Sequence, residues 1–108
     1  MKDVIAVVLL VTVANDEEAR TIGELLLNKR KIACVNMVPK INSLFWWNGK
    51  IESEEERLLI IKSKESLIPE IVELVKSIHS YDVPEIIALP IIGGNEDYLQ
   101  WIFDEIAG

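Results

Sequence analysis

The residues of this 108-residue chain best suited to chemistry surround its only histidine, His79. Asp82 and Glu85 follow it closely, and an imidazole beside carboxylates can bind a divalent metal such as copper or zinc. The pattern has a second interpretation, because a histidine at the end of a helix can bond one of the free carbonyl groups there. His79 is therefore a candidate metal ligand, and further donors would have to come from elsewhere.

A second candidate is Lys62, which lies at the end of the apolar run 58–61. An ammonium in such surroundings needs a carboxylate or an anionic ligand, because an unpaired buried charge is costly. Glu85 is the predicted partner, and a small anion is the alternative. The single cysteine, Cys34, also lies in an apolar stretch. There a cysteine usually acts as a small buried hydrophobe, although a reactive or metal-binding thiol is possible.

Catalysis is not indicated by any spacing in the chain. No serine, histidine and acid can be grouped into a nucleophile with its base, and Gly93-Gly94 is adequately explained as a strand end before a helix. We therefore predict that the protein is not an enzyme. A solvated strand edge, rather than a metal site, is predicted for four glutamates: Glu52, Glu54, Glu55 and Glu56.

The element that must position these residues is one long β-hairpin with arms at 32–47 and 50–63. Asn48-Gly49 supplies the two positive-φ residues of a two-residue type I′ turn. This turn fixes the register, so that three pairs face each other: Trp47 and Lys50, Trp46 and Ile51, Phe45 and Glu52. Each arm spans about 50 Å, whereas a domain of this length has a radius of gyration near 13 Å.

The hairpin therefore overshoots its own domain, and its far end is aromatic. An isolated two-stranded ribbon is marginally stable in water, so we expect another copy of the chain to cover it. The predicted interface residues are Phe45, Trp46, Trp47 and Ile51. The alternative is that Pro39 kinks the arm and folds it back on one core. A closed ring of three chains would cover each ribbon, which predicts a homotrimer.

The remaining patterns complete an α+β fold over residues 1–108, read as a single domain. Apolar runs at 4–13 and 86–92 predict strands, and helices are predicted at 15–30, at 66–78 and after Asn95. Asn15 with Glu18, and Ser66 with Pro69, are the predicted start signals. The expected apolar stripes are Ala19, Ile22, Leu25 and Leu26; Ile68, Ile71, Val72, Val75 and Ile78; and Leu99, Ile102, Phe103 and Ile106. The order is β-α-β-β-α-β plus a C-terminal helix, the ferredoxin-like split β-α-β arrangement.

Composition narrows the partners and the compartment. The formal net charge is −7, from 18 acidic and 11 basic side chains. Such a chain lacks the basic face that nucleic acid or an anionic membrane surface needs, so neither is expected as a partner. The apolar run 4–13 is too short to span a bilayer. One cysteine excludes an internal disulfide, which fits a reducing cytoplasm.

Several motifs together resemble the CutA divalent-cation tolerance family, and they cover essentially the whole chain in matching order. The segments that carry the resemblance are Ala33-Cys34-Val35-Asn36, Ser43-Leu44-Phe45-Trp46-Trp47-Asn48-Gly49-Lys50-Ile51, Leu59-Ile60-Ile61-Lys62-Ser63, His79-Ser80-Tyr81-Asp82-Val83-Pro84-Glu85-Ile86 and Tyr98-Leu99-Gln100-Trp101-Ile102.

The resemblance implies a tight cytoplasmic trimer, similar in architecture to the PII signalling proteins, and a role in tolerance to divalent cations, copper above all. Some members carry an extra cysteine and an extra histidine where this chain has Val11 and Ile78, so only His79 remains as the implied copper ligand. The resemblance also implies a cleft between subunits lined by Trp47, Lys62, Tyr81, Glu85 and Tyr98. A PII-like module that binds a small anion in that cleft is the alternative function.

Overall fold

The computed structural model describes residues 5–106 and contains one four-stranded sheet with three helices. The strands are β1 Ala6–Val13, β2 Cys34–Trp47, β3 Lys50–Lys64 and β4 Ile86–Pro90, and the helices are α1 Asp16–Asn28, α2 Ile68–Ile78 and α3 Glu96–Glu105. The strand order is β2-β3-β1-β4, and every neighbouring pair is antiparallel. The predicted α+β class is thus confirmed, while Val4, predicted to open the first strand, lies outside the described residues.

The hairpin is formed by β2 and β3, and its turn is the predicted one. Asn48 has φ 52° and Gly49 has φ 76°, the left-handed values that a type I′ turn requires. The register follows from this turn, with Trp47 opposite Lys50 and Trp46 opposite Ile51. The described chain measures 47 × 26 × 23 Å, so the ribbon extends well beyond the body that holds the core.

A β-bulge interrupts β2 at Pro39 and Lys40. Val38 pairs with Leu58 and Ile41 with Glu56, so β2 has one residue more than β3 between these pairs. Lys40 adopts φ 59°, and Pro39 occupies the kind of position where a strand tolerates a missing N–H. The arm does not fold back at Pro39, because the pairing with β3 continues to Trp47.

The two faces of the sheet have different environments. Odd-numbered residues of β1, and those of β3 from Leu59 onward, are buried, and their apolar members pack with α1 and α2 into the core; examples are Leu9, Val11, Leu59 and Ile61 with Ile22, Leu26, Ile71 and Val75. Even-numbered residues such as Leu10 and Ile60 are only partly buried. This even-numbered face is the one that two helices leave uncovered, as expected for a two-layer arrangement.

The start of α1 follows the predicted capping pattern. The Glu18 backbone N–H donates to Asn15 Oδ1 at 2.8 Å, and the Glu18 carboxylate in turn accepts from the Ala14 N–H at 2.9 Å. The helix ends at Asn28, before the predicted Arg30, because Arg30 takes the left-handed conformation at φ 59°. Bonds from Arg30 N to Leu27 O and from Lys31 N to Leu26 O complete a Schellman-type end.

Three details of the other predicted elements are corrected. Ser66 does not cap α2, because a short 3₁₀ turn, Glu65–Leu67, precedes the helix, although Pro69 does fall in the first turn. Ile78 is exposed rather than buried, because α2 ends there and the helical stripe runs out of partners. Strand β4 ends at Pro90 rather than Ile92, whose side chain is exposed.

Candidate functional site

His79 follows the last residue of α2, and both of its ring nitrogens are engaged. Nε2 lies 2.8 Å from the carbonyl oxygen of Thr12, and Nδ1 lies 3.0 Å from the backbone nitrogen of Tyr81. Since the backbone N–H of Tyr81 donates to Nδ1, the proton of a neutral ring sits on Nε2 and is donated to Thr12. The side chain is 0% exposed. In this arrangement His79 has no lone pair to offer a metal.

Glu18 binds Ser80, the residue that follows His79 in the loop after α2. Its Oε2 accepts a bond from the Ser80 N–H at 2.7 Å and lies 3.8 Å from Nδ1 of His79. Burial raises the pKa of the Glu18 carboxyl, but bonds from the Ala14 and Ser80 N–H groups and the nearby His79 outweigh it, so that the pKa is lowered overall. Glu18 is thus an ionised carboxylate that fastens the loop to the start of α1.

Tyr81 provides the third attachment of this loop, residues 79–85, which we call the anchored loop. Its hydroxyl donates to Glu56 Oε2 at 2.7 Å, and its ring centroid lies 4.8 Å from that of His79. Burial, the bond to Glu56 and the surrounding carboxylates raise the pKa of Tyr81 above its ordinary value. Glu56 is only 6% exposed, so the prediction of a wholly solvated acidic edge is wrong at this residue.

The other two residues predicted beside His79 do not join it in a metal site. Asp82 and Glu85 are exposed, and the part of the chain that the structure describes contains no group of three histidine, cysteine or acidic residues placed to hold a metal ion. The donor set of one chain therefore does not fit a resident divalent metal.

Lys62 bonds an amide instead of the predicted carboxylate. Its Nζ donates to Asn36 Oδ1 across the β2–β3 pair. Lys62 pairs with Val8 of β1, whereas Glu85 precedes Ile86, which pairs with Val11. The prediction of a Lys62–Glu85 pair is wrong, because β1 lies between their strands and the two residues are offset along it.

Close to Lys62, the start of α3 contacts β2. The hydroxyl of Tyr98 lies 3.6 Å from Sγ of Cys34, and Cys34 is the residue directly opposite Lys62. The bond to Cys34 and burial raise the pKa of Tyr98. We call Cys34, Asn36, Lys62 and Tyr98 the β2 edge cluster, because β2 is an edge strand of the sheet.

The five residues predicted to line one cleft lie in three separate parts of the chain. Lys62 and Tyr98 belong to the β2 edge cluster, whereas Tyr81 and Glu85 belong to the anchored loop. Trp47 lies at the ribbon tip opposite Lys50, about 40 Å along β3 from Lys62 at ~3.3 Å per residue. One chain alone does not bring these five side chains together.

The four predicted interface residues divide between the two faces of the ribbon. Phe45 and Trp47 share one face with Glu52 and Lys50, while Trp46 and its partner Ile51 share the other face with Leu44. Trp46 is 72% exposed and Ile51 is 65% exposed, against 37% for Phe45. The ribbon tip thus carries uncovered apolar side chains on both faces.

Sequence reasoning missed Asn36 and Glu56 as members of these clusters. Strand alternation places Glu56 on the same face as Leu58 and Ile60, but its burial depends on Tyr81, which comes from a loop distant in sequence. The position of Asn36 depends on the bulge at Pro39, which moves it opposite Ile60.

No helix among residues 5–106 has both the length and the apolar character needed to cross a membrane.

Comparison with known proteins gives a consistent match. A family model described as CutA1 divalent ion tolerance protein matches residues 7–105. The chloroplastic CutA 1 protein of Oryza sativa is 48% identical over 97 residues, which cover 90% of this chain and 55% of that protein. The divalent-cation tolerance protein CutA of Thermus thermophilus is 45% identical over 95 residues, which cover 88% of this chain and 92% of that protein.

Solved structures agree with the fold described above. The crystal structure of CutA1 from Oryza sativa has a TM-score of 0.93 at 46% identity and covers 95% of this chain and 94% of that chain. The structure of the Thermus thermophilus protein has a TM-score of 0.92 at 42% identity, with 94% and 99% covered. The chain spans about half the length of the first curated relatives it matches, which come from plants and mammals.

Proposed function

The chain belongs to the CutA1 divalent ion tolerance family, and from that premise we propose that it acts as a homotrimeric, non-enzymatic protein of the divalent-cation response. The proposal includes a single ferredoxin-like domain in each subunit, over residues 1–108, and a cytoplasmic location. The strand order β2-β3-β1-β4 with α1 and α2 on one face supports the ferredoxin-like description. The same proposal names other copies of the chain and a divalent metal ion as its binding partners. It includes neither nucleic acid nor a membrane.

The observation that supports the trimer best is the ribbon tip. Phe45, Trp46, Trp47 and Ile51 project beyond the core on two faces, and all four are exposed in the isolated chain. Their burial by a neighbouring chain would be favourable by ~25 cal/mol for each Å² of apolar surface removed from water. A ring of identical subunits gives every tip the same cover and leaves none free.

The assembly is tested by measuring the molar mass in solution. Light scattering coupled to gel filtration should give about three times 12.2 kDa at micromolar concentration. A mass of one subunit at all concentrations would contradict the proposal. The cytoplasmic location is tested separately, by fractionating cells that express the tagged chain.

For copper or another divalent cation, the geometry supports binding only through more than one subunit. His79 is closed by its two hydrogen bonds, and one chain groups no three suitable donors among residues 5–106. A trimer repeats every carboxylate around an axis, which can bring copies of one donor together. Calorimetric titration with Cu²⁺ should therefore give a stoichiometry below one ion per chain.

A second candidate function is a PII-like module that binds a small anion between subunits. The observation that favours it is Lys62, a half-buried residue whose ammonium bonds the Asn36 amide rather than a carboxylate. A thermal-shift screen of nucleotides and organic acids should give a stabilising compound whose effect disappears in Lys62→Met. Absence of any stabilising compound would count against this candidate and leave the first one standing.

A further inference from the structure

The β2 edge cluster combines side chains from two strands and a helix at one point on the surface. Cys34 and Asn36 lie on the same face of β2, and Lys62 is directly opposite Cys34 on β3. Directly opposite side chains in an antiparallel pair have Cβ atoms about 5 Å apart. Tyr98 reaches this face from α3. Four polar side chains therefore converge where β2 forms the edge of the sheet.

The charge of this cluster is positive and uncompensated within the described chain. Among residues 5–106, no carboxylate lies within ion-pair distance of Lys62, whereas Lys31 pairs with Glu70 and Arg57 with Asp16. The contrast is informative because acidic side chains outnumber basic ones, 18 to 11. Lys62 is a half-buried residue, and an ammonium that has only an amide as its partner keeps a preference for an anion.

The hydrogen-bonding capacity of the cluster points in the same direction. Asn36 Oδ1 accepts from Lys62, which leaves the Asn36 NH₂ group as a donor. The ammonium of Lys62 keeps two more protons after that bond. The hydroxyl of Tyr98 has a thiol as its neighbour, and sulfur is a weak acceptor that an oxyanion would readily replace. Three donors and no competing carboxylate favour an oxygen anion over a cation.

Access to the cluster is open on one side of the isolated chain. Asn36 and Tyr98 are exposed, and Tyr98 stacks on Trp101 with ring centroids 5.4 Å apart. This stacking holds the phenol ring and keeps its hydroxyl beside the edge of β2. The site is therefore held in place before a ligand arrives, which lowers the entropy cost of binding.

We infer that the β2 edge cluster is a binding site for a small oxyanion, a carboxylate or phosphate group, with Lys62 as the charged anchor and Asn36 and Tyr98 as donors. The inference deepens the second candidate function and rests on it for its biological role. It differs from the predicted five-residue cleft, because all of its donors come from one chain and Asn36 is among them.

The test is a titration of the ¹⁵N-labelled full chain with inorganic phosphate and, separately, with acetate at constant ionic strength. Saturable shifts of the Asn36 side-chain amide signals are expected with at least one of the two anions, and comparison of the two identifies the anion class. Lys62→Met should weaken the affinity about tenfold or more, because a charge-assisted bond is lost. Tyr98→Phe should weaken it about fivefold, and Lys76→Met, an exposed lysine on α2, should leave it unchanged.

Asn36→Asp gives a matched variant that keeps the size of the side chain. The new carboxylate lies beside Lys62 and pairs with its ammonium, so anion binding should disappear while the chain remains folded. Unchanged affinity in Asn36→Asp or Lys62→Met, or no shift of Asn36 with either anion, would overturn the inference. The molar mass of the same samples separates the two proposals: a monomer that binds phosphate contradicts the trimer alone, and a trimer that does not bind contradicts this site alone.

Discussion

His79 connects three parts of the molecule through the two nitrogens of one ring. Its ring accepts a hydrogen bond from the Tyr81 N–H, donates one to the carbonyl oxygen of Thr12 and lies beside the Glu18 carboxylate. One bond satisfies a carbonyl near the end of β1 and the other a backbone N–H in the anchored loop, where regular secondary structure supplies no partner. The single histidine is thus explained by the need to join α2, β1 and the anchored loop.

His79→Ala should separate this structural role from metal binding. The free energy of unfolding should fall by about 3 kcal/mol, because two bonds and a buried ring are lost. The affinity for Cu²⁺ should stay at the wild-type value, because the ring has no free nitrogen. Guanidinium unfolding and calorimetry measure the two quantities, with the exposed Asp82→Ala as a control. Loss of Cu²⁺ binding in His79→Ala alone would restore His79 as a ligand.

Tyr81→Phe should reveal how strongly the anchored loop is attached to β3. The change leaves the buried Glu56 carboxylate without its hydroxyl donor, which should cost about 2 kcal/mol of unfolding free energy. In Glu56→Gln the same phenylalanine substitution should cost less, since the remaining amide is neutral. Thermal unfolding of the four proteins in this double-mutant cycle gives the coupling. Equal costs in both backgrounds would show that the bond contributes nothing.

Glu18 should make stability depend on pH in the acidic range. Its pKa in the folded chain is lowered from an ordinary value of 4.5, so it contributes stability above that pH and loses the contribution as the pH falls through the folded value. Glu18→Gln should therefore be less stable than wild type at pH 6, with a difference that narrows toward pH 3. The check is urea unfolding across this range. A difference independent of pH would show that ionisation of Glu18 is not involved.

At the scale of elements, the bulge in β2 decides which side chains meet. The register counted back from the Asn48-Gly49 turn without a bulge puts Asn36 opposite Ile61, on the buried face. The extra residue at Pro39 and Lys40 puts Asn36 opposite Ile60, on the open face. The β2 edge cluster exists because of this one-residue shift.

Lys40→Gly should strengthen the ribbon. Lys40 holds φ 59°, which costs a residue with a Cβ about 1 kcal/mol that glycine does not incur. The substitution should raise the free energy of unfolding slightly or leave it unchanged. Lys50→Gly, at a regular strand position, should lower it by about the same amount. Thermal unfolding compares them, and equal destabilisation by both changes would mean that the backbone at Lys40 carries no strain.

Sequence patterns recovered the elements whose signals are local. Asn48-Gly49 gave the turn and the tip register, and Asn15 with Glu18 gave the start of α1. The Lys62 partner could not be predicted, because it depends on strand order and on the bulge, which involve residues distant in sequence. The burial of Glu56 follows from Tyr81, which arrives from a loop far along the chain.

At the scale of the whole molecule, the two faces of the ribbon can be tested separately as contacts between chains. Phe45→Asp with Trp47→Asp charges one face, and Trp46→Asp with Ile51→Asp charges the other. Each pair should dissociate the proposed trimer, because a desolvated unpaired carboxylate costs several kcal/mol. Light scattering gives the mass, with Glu52→Gln as a control on the same ribbon. If only one pair dissociates the assembly, that pair identifies the contact face, and a trimer that withstands both would exclude the tip.

A ribbon that is apolar on both sides has a consequence for how chains stop adding to one another. A chain that covers one ribbon tip contributes an exposed tip of its own. Further chains therefore keep adding to the assembly unless the rotation between successive chains closes a ring. Closure at a small number of chains is then what separates a soluble particle from a fibre. Changes that alter the angle of the ribbon, such as deletion of the residue inserted at Lys40, should convert discrete particles into filaments visible by electron microscopy.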